Sequence, residues 1–340
     1  MALRDSVITC LAYLLRTRLS SRLLRAVCRT PVFVITTTPG AFLGNQLTIF
    51  AHVIASARDT GRDIWGASFF PYASYFETTS RDILARFPAR RSLFRIQALR
   101  VFLYYYVFAR LVRVLLLRPD PPLSDLAVIT DYDGRQYLQG ENFLDQAAGK
   151  RLVLIEGYFF RTSVAQLTAH SPVIKAYFRP LQRHETNAEA VVRQARAEAD
   201  VLVGVHLRQF DTVIDHTPHP LYKYQHVEHM SQAMRRTVEL LAGKRVVFLL
   251  FSNRKIDHSR FTGFSTTEGT GHMIEDLHAL SLCDYILAST YSTFSRWASF
   301  YGNVPLYQME TPGSRFSLQD FRVQIPGYYD PSDESSPIHV

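Results

Sequence analysis

Cysteine is scarce in this 340-residue chain, which has only Cys10, Cys28 and Cys283. These are too few and too scattered for a disulfide framework, and none stands in a CxxC or Cys/His zinc spacing, so a disulfide-stapled secreted scaffold is excluded and a reducing, cytoplasmic setting fits. Long apolar runs are also lacking. Residues 7–15 are apolar between Arg4 and Arg16, but they fall far short of the ~20 residues that span a bilayer. No small-residue cleavage site follows them, so neither a secretion signal nor a transmembrane anchor is expected. There is no internal repeat and no low-complexity tract. A hydrolase finds no GxSxG, HExxH or cysteine-centred motif to rest on. Aromatic and basic residues are not interleaved in an RNP-like or helix-turn-helix pattern, so nucleic acid is not an expected partner.

Apolar content is ample, at 47% hydrophobic against 20% charged, enough for a well-buried core of one large or two ordinary domains. Basic residues outnumber acidic ones, 38 to 30, and the net charge of +8 suits an anionic partner such as a nucleotide or an acidic lipid surface. A basic, apolar segment spans residues 93–118. On a helix its Arg95, Arg100, Arg110, Arg113 and Arg118 fall within roughly 140° of arc, leaving a broad apolar face opposite. Such a helix either packs on the protein's own core with its arginines in solvent or lies on an acidic membrane surface.

Elsewhere the pattern is α/β. Residues 32–38 (VFVITTT) form a β-branched run bounded by Pro31 and Pro39, and read as a buried strand. Leu47, Phe50, Ala51, Ile54 and Ala57 then repeat at helical spacing until Gly61 closes the helix. Further strands are expected at 127–132 and 151–159, and a linker at 178–187, where apolar periodicity fades. Beyond it, strands at 201–208, 245–253, 285–290 and 304–309 alternate with helices at 187–200, 224–242, near 275–281, and from Ser292. This rhythm implies parallel sheets covered on both faces, in two Rossmann-like layers divided near residue 185.

In such sheets ligands bind outside the C-terminal ends of the strands. The strand ending near residue 208 delivers His206, Arg208 and Asp211. An arginine fork there matches the oxygens of a pyrophosphate, although a structural ion pair would use the same residues. The next strand ends in Ser252 and Asn253, which are either ribose or phosphate contacts or turn residues. The third gives Ser289, Thr290, Ser292, Thr293 and Ser295 at a helix start, where free N–H groups favour an anion and hydroxyls commonly cap. Asp131-Tyr132-Asp133 spells a DxD, but beside Gly134 it reads as a turn rather than a metal site.

Taken together, these segments resemble the α-1,2-fucosyltransferases of glycosyltransferase family 11, within the wider group that includes α-1,6- and protein O-fucosyltransferases. Leu43-Gly44-Asn45-Gln46-Leu47 is similar to that family's GLGNQ, and residues 206–211 (HLRQFD) to its HxRRxD. Residues 251–254 (FSNR) resemble FSDD, residues 276–283 (DLHALSLC) resemble DLxLMSxC, and residues 291–297 (YSTFSRW) resemble NSTFSWW. Gln209 stands in place of a second arginine, Asn253-Arg254 in place of paired aspartates, and Arg296 interrupts a tryptophan pair. Residues 62–150 match no segment of that family.

The resemblance implies an α/β fold of the GT-B type, two Rossmann-like domains with a donor/acceptor cleft between them. It divides the chain into a basic N-terminal segment (1–30), an acceptor-side domain (31–185, with a variable region at 62–150), a GDP-fucose-binding domain (186–310) and a tail (311–340). It implies inverting, metal-independent transfer of L-fucose from GDP-fucose to a glycan hydroxyl, α-1,2 to galactose, with no cofactor. His206, Arg208, Ser252, Asn253, Asp276, Ser292, Thr293, Phe294 and Ser295 would hold the donor, and Gly44, Asn45 and Gln46 form the N-terminal motif. Asp211, Asp215 and His216 are the candidate bases beside Arg208, with His216 at the offset where α-1,6-acting relatives carry a glutamate. A lipid-linked acceptor at the inner face of the cell membrane would suit the two basic segments. The alternatives are a degenerate GDP-sugar-binding or membrane-peripheral protein, and a transferase for another GDP-sugar or a protein acceptor.

Overall fold

The computed structural model describes residues 28–36, 42–82, 84–90, 99, 102–103, 125–131, 136–209, 227–289, 292–309 and 315–328. The chain divides into two compact units, Met1–Arg179 and Pro180–Val340. The N-terminal segment up to residue 27, nearly all of the basic stretch 93–118, and Asp211, Asp215 and His216 lie outside the described residues.

In the first unit the elements are β1 (Val32–Thr36), α1 (Leu43–Thr60), β2 (Asp63–Gly66), α2 (Phe70–Ala73), β3 (Leu126–Thr130), β4 (Gln136–Tyr137), α3 (Glu141–Ala147), β5 (Leu152–Glu156), β6 (Phe160–Arg161), α4 (Val164–Ala169) and α5 (Ser171–Tyr177). The second has α6 (Gln182–Arg196), β7 (Val201–Leu207), α7 (Val227–Leu240), β8 (Val246–Ser252), β9 (Ser265–Glu268), α8 (Met273–Leu280), β10 (Tyr285–Ser289), α9 (Thr293–Gly302) and β11 (Leu306–Met309). The first unit's main sheet runs β2-β1-β5-β3 and the second's β11-β10-β7-β8-β9, and every pairing in both is parallel. The expected α/β class, with a Rossmann-like parallel sheet in each unit, is what the structure shows.

The central strands of each sheet have no polar face. All five β1 residues are buried, as are six of the seven in β7, the signature of a strand covered on both sides. Helix α1 ends where the sequence indicates, with Gly61 in the left-handed region at φ 64° and its N–H bonded to the Ala57 carbonyl. Gly204, in the middle of β7, answers a packing demand. A Cβ there would stand 2.4 Å from Leu280 Cδ1 and 3.0 Å from Cys283 Sγ, so glycine lets the end of α8 press onto the sheet. Burial pushes the Cys283 thiol well up, consistent with a packing group and not a nucleophile.

Three expectations need correction. The boundary between the two units, at Arg179/Pro180, falls within the stretch 178–187 expected as a linker, but little of that stretch is irregular. Phe178 is buried, and α6 begins at Gln182, five residues before the predicted start, because His184, Glu185 and Ala188 already turn inward. Residues 311–340 are not simply a tail, since Phe316, Phe321 and Tyr328 are buried and Leu306 bridges to Arg322. Arg296, which interrupts the tryptophan pair, holds that segment. Its guanidinium is buried and donates to the Tyr328 carbonyl at 2.8 Å and to Gln308 Oε1 at 2.6 and 2.9 Å. Strands β2 and β9 were not anticipated.

Candidate functional site

The second unit's strand order fixes where a ligand belongs. From β7 the chain winds outward through β8 to β9, then returns to the opposite side of β7 with β10 and β11. The reversal falls between β7 and β10, and the crevice beyond their C-terminal ends is the topological switch point of an open parallel sheet. His206 and Arg208 close β7, while Ser289 and the start of α9 close β10. The register places His206 beside Ala288.

Side-chain bonds tie the two strand ends together. Ser289 Oγ accepts from the Arg208 backbone N–H at 3.0 Å and lies 3.4 Å from the His206 carbonyl. Buried His206 has its Nδ1 3.2 Å from Ser295 Oγ, and its ring lies 4.9 Å from that of Phe294. With Ser295 directing its hydroxyl to the Ser292 carbonyl (3.4 Å), Nδ1 is the donor and Nε2 the acceptor side of the imidazole. Burial first, and then the adjacent Arg208 charge, push His206 down to about 3. At neutral pH it is therefore a neutral hydrogen-bonding ring and not an acid.

Ser292 stands at the N-cap of α9, yet its side chain makes no capping bond, contrary to the usual use of a hydroxyl there. The nearby Ser295 Oγ donates to the Ser292 carbonyl and accepts from His206 Nδ1. Helix-start N–H groups and the positive end of the helix dipole thus lie beside the β7 terminus, an arrangement that favours an anion.

On the other side of β7, the departures Gln209 and Asn253 prove to be partners. The Gln209 N–H donates to Asn253 Oδ1 and Asn253 Nδ2 donates to the Gln209 carbonyl, both at 2.7 Å. Gln209 Nε2 reaches Ser252 Oγ at 3.2 Å, and the same oxygen accepts from the Arg254 N–H. Ser252 and Asn253 thus tie the ends of β7 and β8 together. Asp276, in the first turn of α8, accepts from the N–H groups of Thr270 (2.8 Å) and Gly271 (3.2 Å), which holds the loop after β9. Burial pushes its carboxyl up to about 6 against the pull of those two donors. The structure brings His206, Arg208, Ser292, Phe294 and Ser295 to one crevice edge and Ser252, Asn253 and Asp276 to neighbouring strand and helix ends.

The first unit has its own switch point, between β1 and β5. There Thr36 Oγ1 donates to the Ile155 carbonyl at 3.1 Å. Gly44 and Gln46 are buried in the first turn of α1, with Gln46 Oε1 accepting from Ser68 Oγ at 2.8 Å and Asn45 half-buried. Asp131 closes β3 by accepting the N–H groups of Tyr158 and Phe159, so its carboxylate is spent on the turn after β5. Sequence reasoning singled out Ser289 but missed its latch on Arg208, because that contact joins residues 81 apart in the chain, and it missed the loop role of Asp276, which takes the N–H groups of a turn five and six residues before it.

No protein-family model and no curated protein matches the sequence. Among solved structures, the chain is similar to NodZ α-1,6-fucosyltransferase co-crystallized with GDP, at 17% identity and a TM-score of 0.52 over 83% of this chain and 96% of that one. Fucosyltransferase NodZ from Bradyrhizobium gives 16% identity and 0.52 over 82% and 96%. An Arabidopsis thaliana FUT1 variant in complex with GDP gives 11% and 0.51 over 82% and 70%. At these identities the likeness establishes the fold, so the chain has the α/β architecture on which those fucosyltransferases are built.

Proposed function

We propose that the protein is a fucosyltransferase that binds GDP-fucose in its second unit and moves L-fucose, with inversion and without a metal ion, to a glycan hydroxyl. The observation that carries this reading is the convergence of Arg208, neutral His206 and the uncapped start of α9 at the β7/β10 switch point. The diphosphate of GDP gains negative charge as the bond from the fucose anomeric carbon to the phosphate oxygen breaks. An arginine fork and helix-start N–H groups stabilise that charge without an ion. His206, kept neutral, offers Nε2 as an acceptor to a donor sugar hydroxyl. It does not add a second cation that would hold GDP after transfer.

The acceptor hydroxyl attacks the anomeric carbon opposite the departing GDP and gives its proton to a base. Asp211, Asp215 and His216, just past the β7 end, are the proposed candidates. Galactose with α-1,2 linkage is the proposed acceptor, carried on a lipid-linked or polysaccharide precursor, with the basic segments at 1–30 and 93–118 holding the enzyme to an acidic membrane face. Among the described residues no helix is long and apolar enough to cross a membrane.

The test is a panel of nucleotide sugars assayed for thermal protection and for release of free GDP. A ligand at 100 times its Kd raises stability by about 2.7 kcal/mol. GDP-fucose should protect more than GDP-mannose, UDP-galactose or ADP-glucose and should release GDP slowly even without acceptor. The internal pairing of Gln209 with Asn253 favours a second reading, a protein that binds a GDP-sugar and transfers nothing. That reading gives protection without GDP release for every acceptor offered.

A further inference from the structure

Three side chains of metal-ligand type converge in the second unit on residues the donor reading does not use. His184 lies in the first turn of α6, while His272 and Glu275 flank the start of α8, the helix packed against α6. Their spacing of three residues puts His272 and Glu275 on one side of a helical turn. One ligand atom from each of the three lies within 4.8 Å of the others. His184 Nδ1 is 2.8 Å from Glu275 Oε1, the same oxygen accepts from Asn187 Nδ2 at 2.9 Å, and the two imidazoles stack at 4.6 Å between centroids. His184 and Glu275 are buried and His272 is half-buried, so the cluster is closed inwardly and open on one side.

We infer that these residues form a structural site for a borderline divalent cation of the zinc class. Two imidazoles and one carboxylate are the donor set that such an ion selects over Mg²⁺ or Ca²⁺, which take oxygen ligands. Ligands on one Zn²⁺ stand about 3.0–3.5 Å apart at bond lengths of about 2.0–2.2 Å. The His184–Glu275 edge, at 2.8 Å a direct hydrogen bond, opens slightly to reach that range, and the remaining edges close by side-chain rotation of His272 and Glu275. Arg183 Nε now donates to His184 Nε2 at 3.2 Å. When Nδ1 takes the metal, the imidazole N–H is carried on Nε2 instead and the exposed Arg183 side chain swings into solvent. Water on the half-open side completes the shell. The ion would pin the first helix of the unit to the start of α8, next to the Gly269–His272 loop that Asp276 holds, and so steady an edge of the donor crevice without touching the reacting atoms.

The full chain, stripped with EDTA and dialysed, is titrated with Zn²⁺ against a chromophoric chelator and, separately, with Co²⁺ to read coordination from its visible bands. The expected result is one tight Zn²⁺ per chain, a Co²⁺ spectrum of tetrahedral intensity and a higher unfolding temperature. His272→Ala and Glu275→Gln should each weaken Zn²⁺ binding at least about tenfold and remove the thermal gain. His272→Gln keeps the bulk of the side chain and serves should the alanine variant lose its helical circular dichroism. Absence of tight Zn²⁺ binding to the wild type overturns the proposal. So does equal binding by the folded variants, which would move the ion to other histidines. Because the readout is metal occupancy and not transfer, the result stands apart from the fucosyltransferase reading.

Discussion

Lowering the pH should destabilise the second unit through His206 in particular, by an amount that follows from its burial. The unfolded chain takes up a proton on this histidine near pH 6.5, whereas in the folded state the proton is refused until about pH 3. Between those values the unfolded state binds one more proton. Stability is therefore complete above about pH 6.5 and falls as the pH drops towards 3, by about 1.4 kcal/mol per unit. From pH 7 to pH 5 the loss is about 2 kcal/mol, equivalent to roughly 4–8 °C in unfolding temperature for a unit of about 150 residues. Other groups titrate over the same range, so the measurement is a difference between variants. His206→Phe preserves the ring contact with Phe294, leaves Ser295 its bond to the Ser292 carbonyl, and removes the titrating group. Thermal unfolding of wild type and variant at pH 7 and pH 5 should show the variant losing about 2 kcal/mol less on acidification. Equal losses in both would refute the assignment of a buried, neutral His206. The variant should also lose transfer activity at pH 7, because Nε2 is gone.

Arg208→Ala should remove most transfer and weaken GDP binding by about 1.5–3 kcal/mol, the worth of a charge-assisted hydrogen bond, and Arg208→Lys should recover little because a point charge lacks the fork. Titration calorimetry with GDP and a transfer assay check this, and wild-type rates in both variants would remove Arg208 from the donor site. Transfer at moderate temperature should survive excess EDTA. A loss that Mg²⁺ or Mn²⁺ restores would place a catalytic ion in the reaction and defeat the arginine-and-helix scheme. Arg296→Met should cost about 2–4 kcal/mol by denaturant titration, since it leaves the Tyr328 carbonyl and Gln308 Oε1 without the buried donor that now serves them. Sedimentation with acidic liposomes should carry down part of the protein at low salt and release it at high salt, with binding lost when Arg95, Arg100, Arg110, Arg113 and Arg118 become glutamine. Protein that stays in the supernatant at low salt would argue for a soluble acceptor.

Most of the secondary structure is legible in the sequence, because it is written in local patterns. The β-branched runs that became β1, β5, β7, β8 and β10 exclude water on both faces wherever they pair. The periodic apolar residues of α1 and its closing Gly61 specify a helix and its end without reference to the rest of the chain. The residue types at the strand ends, His206 and Arg208 above all, were visible for the same reason. Edge strand β9, Ser265–Glu268, was not, since its sequence STTE has no apolar face and it is a strand only through pairing with β8. The start of α6 was misplaced because His184 looks like a solvent-seeking residue until Glu275 of α8 is brought beside it. Strand order, and with it the switch point, depends on which strands meet after long crossovers. Whether His206 meets Ser295 and whether Gln209 and Asn253 satisfy each other are likewise set by groups 89 and 44 residues away in the chain. Such distances carry no local signature, so only the folded sheet, by placing β7 between β8 and β10, decided them.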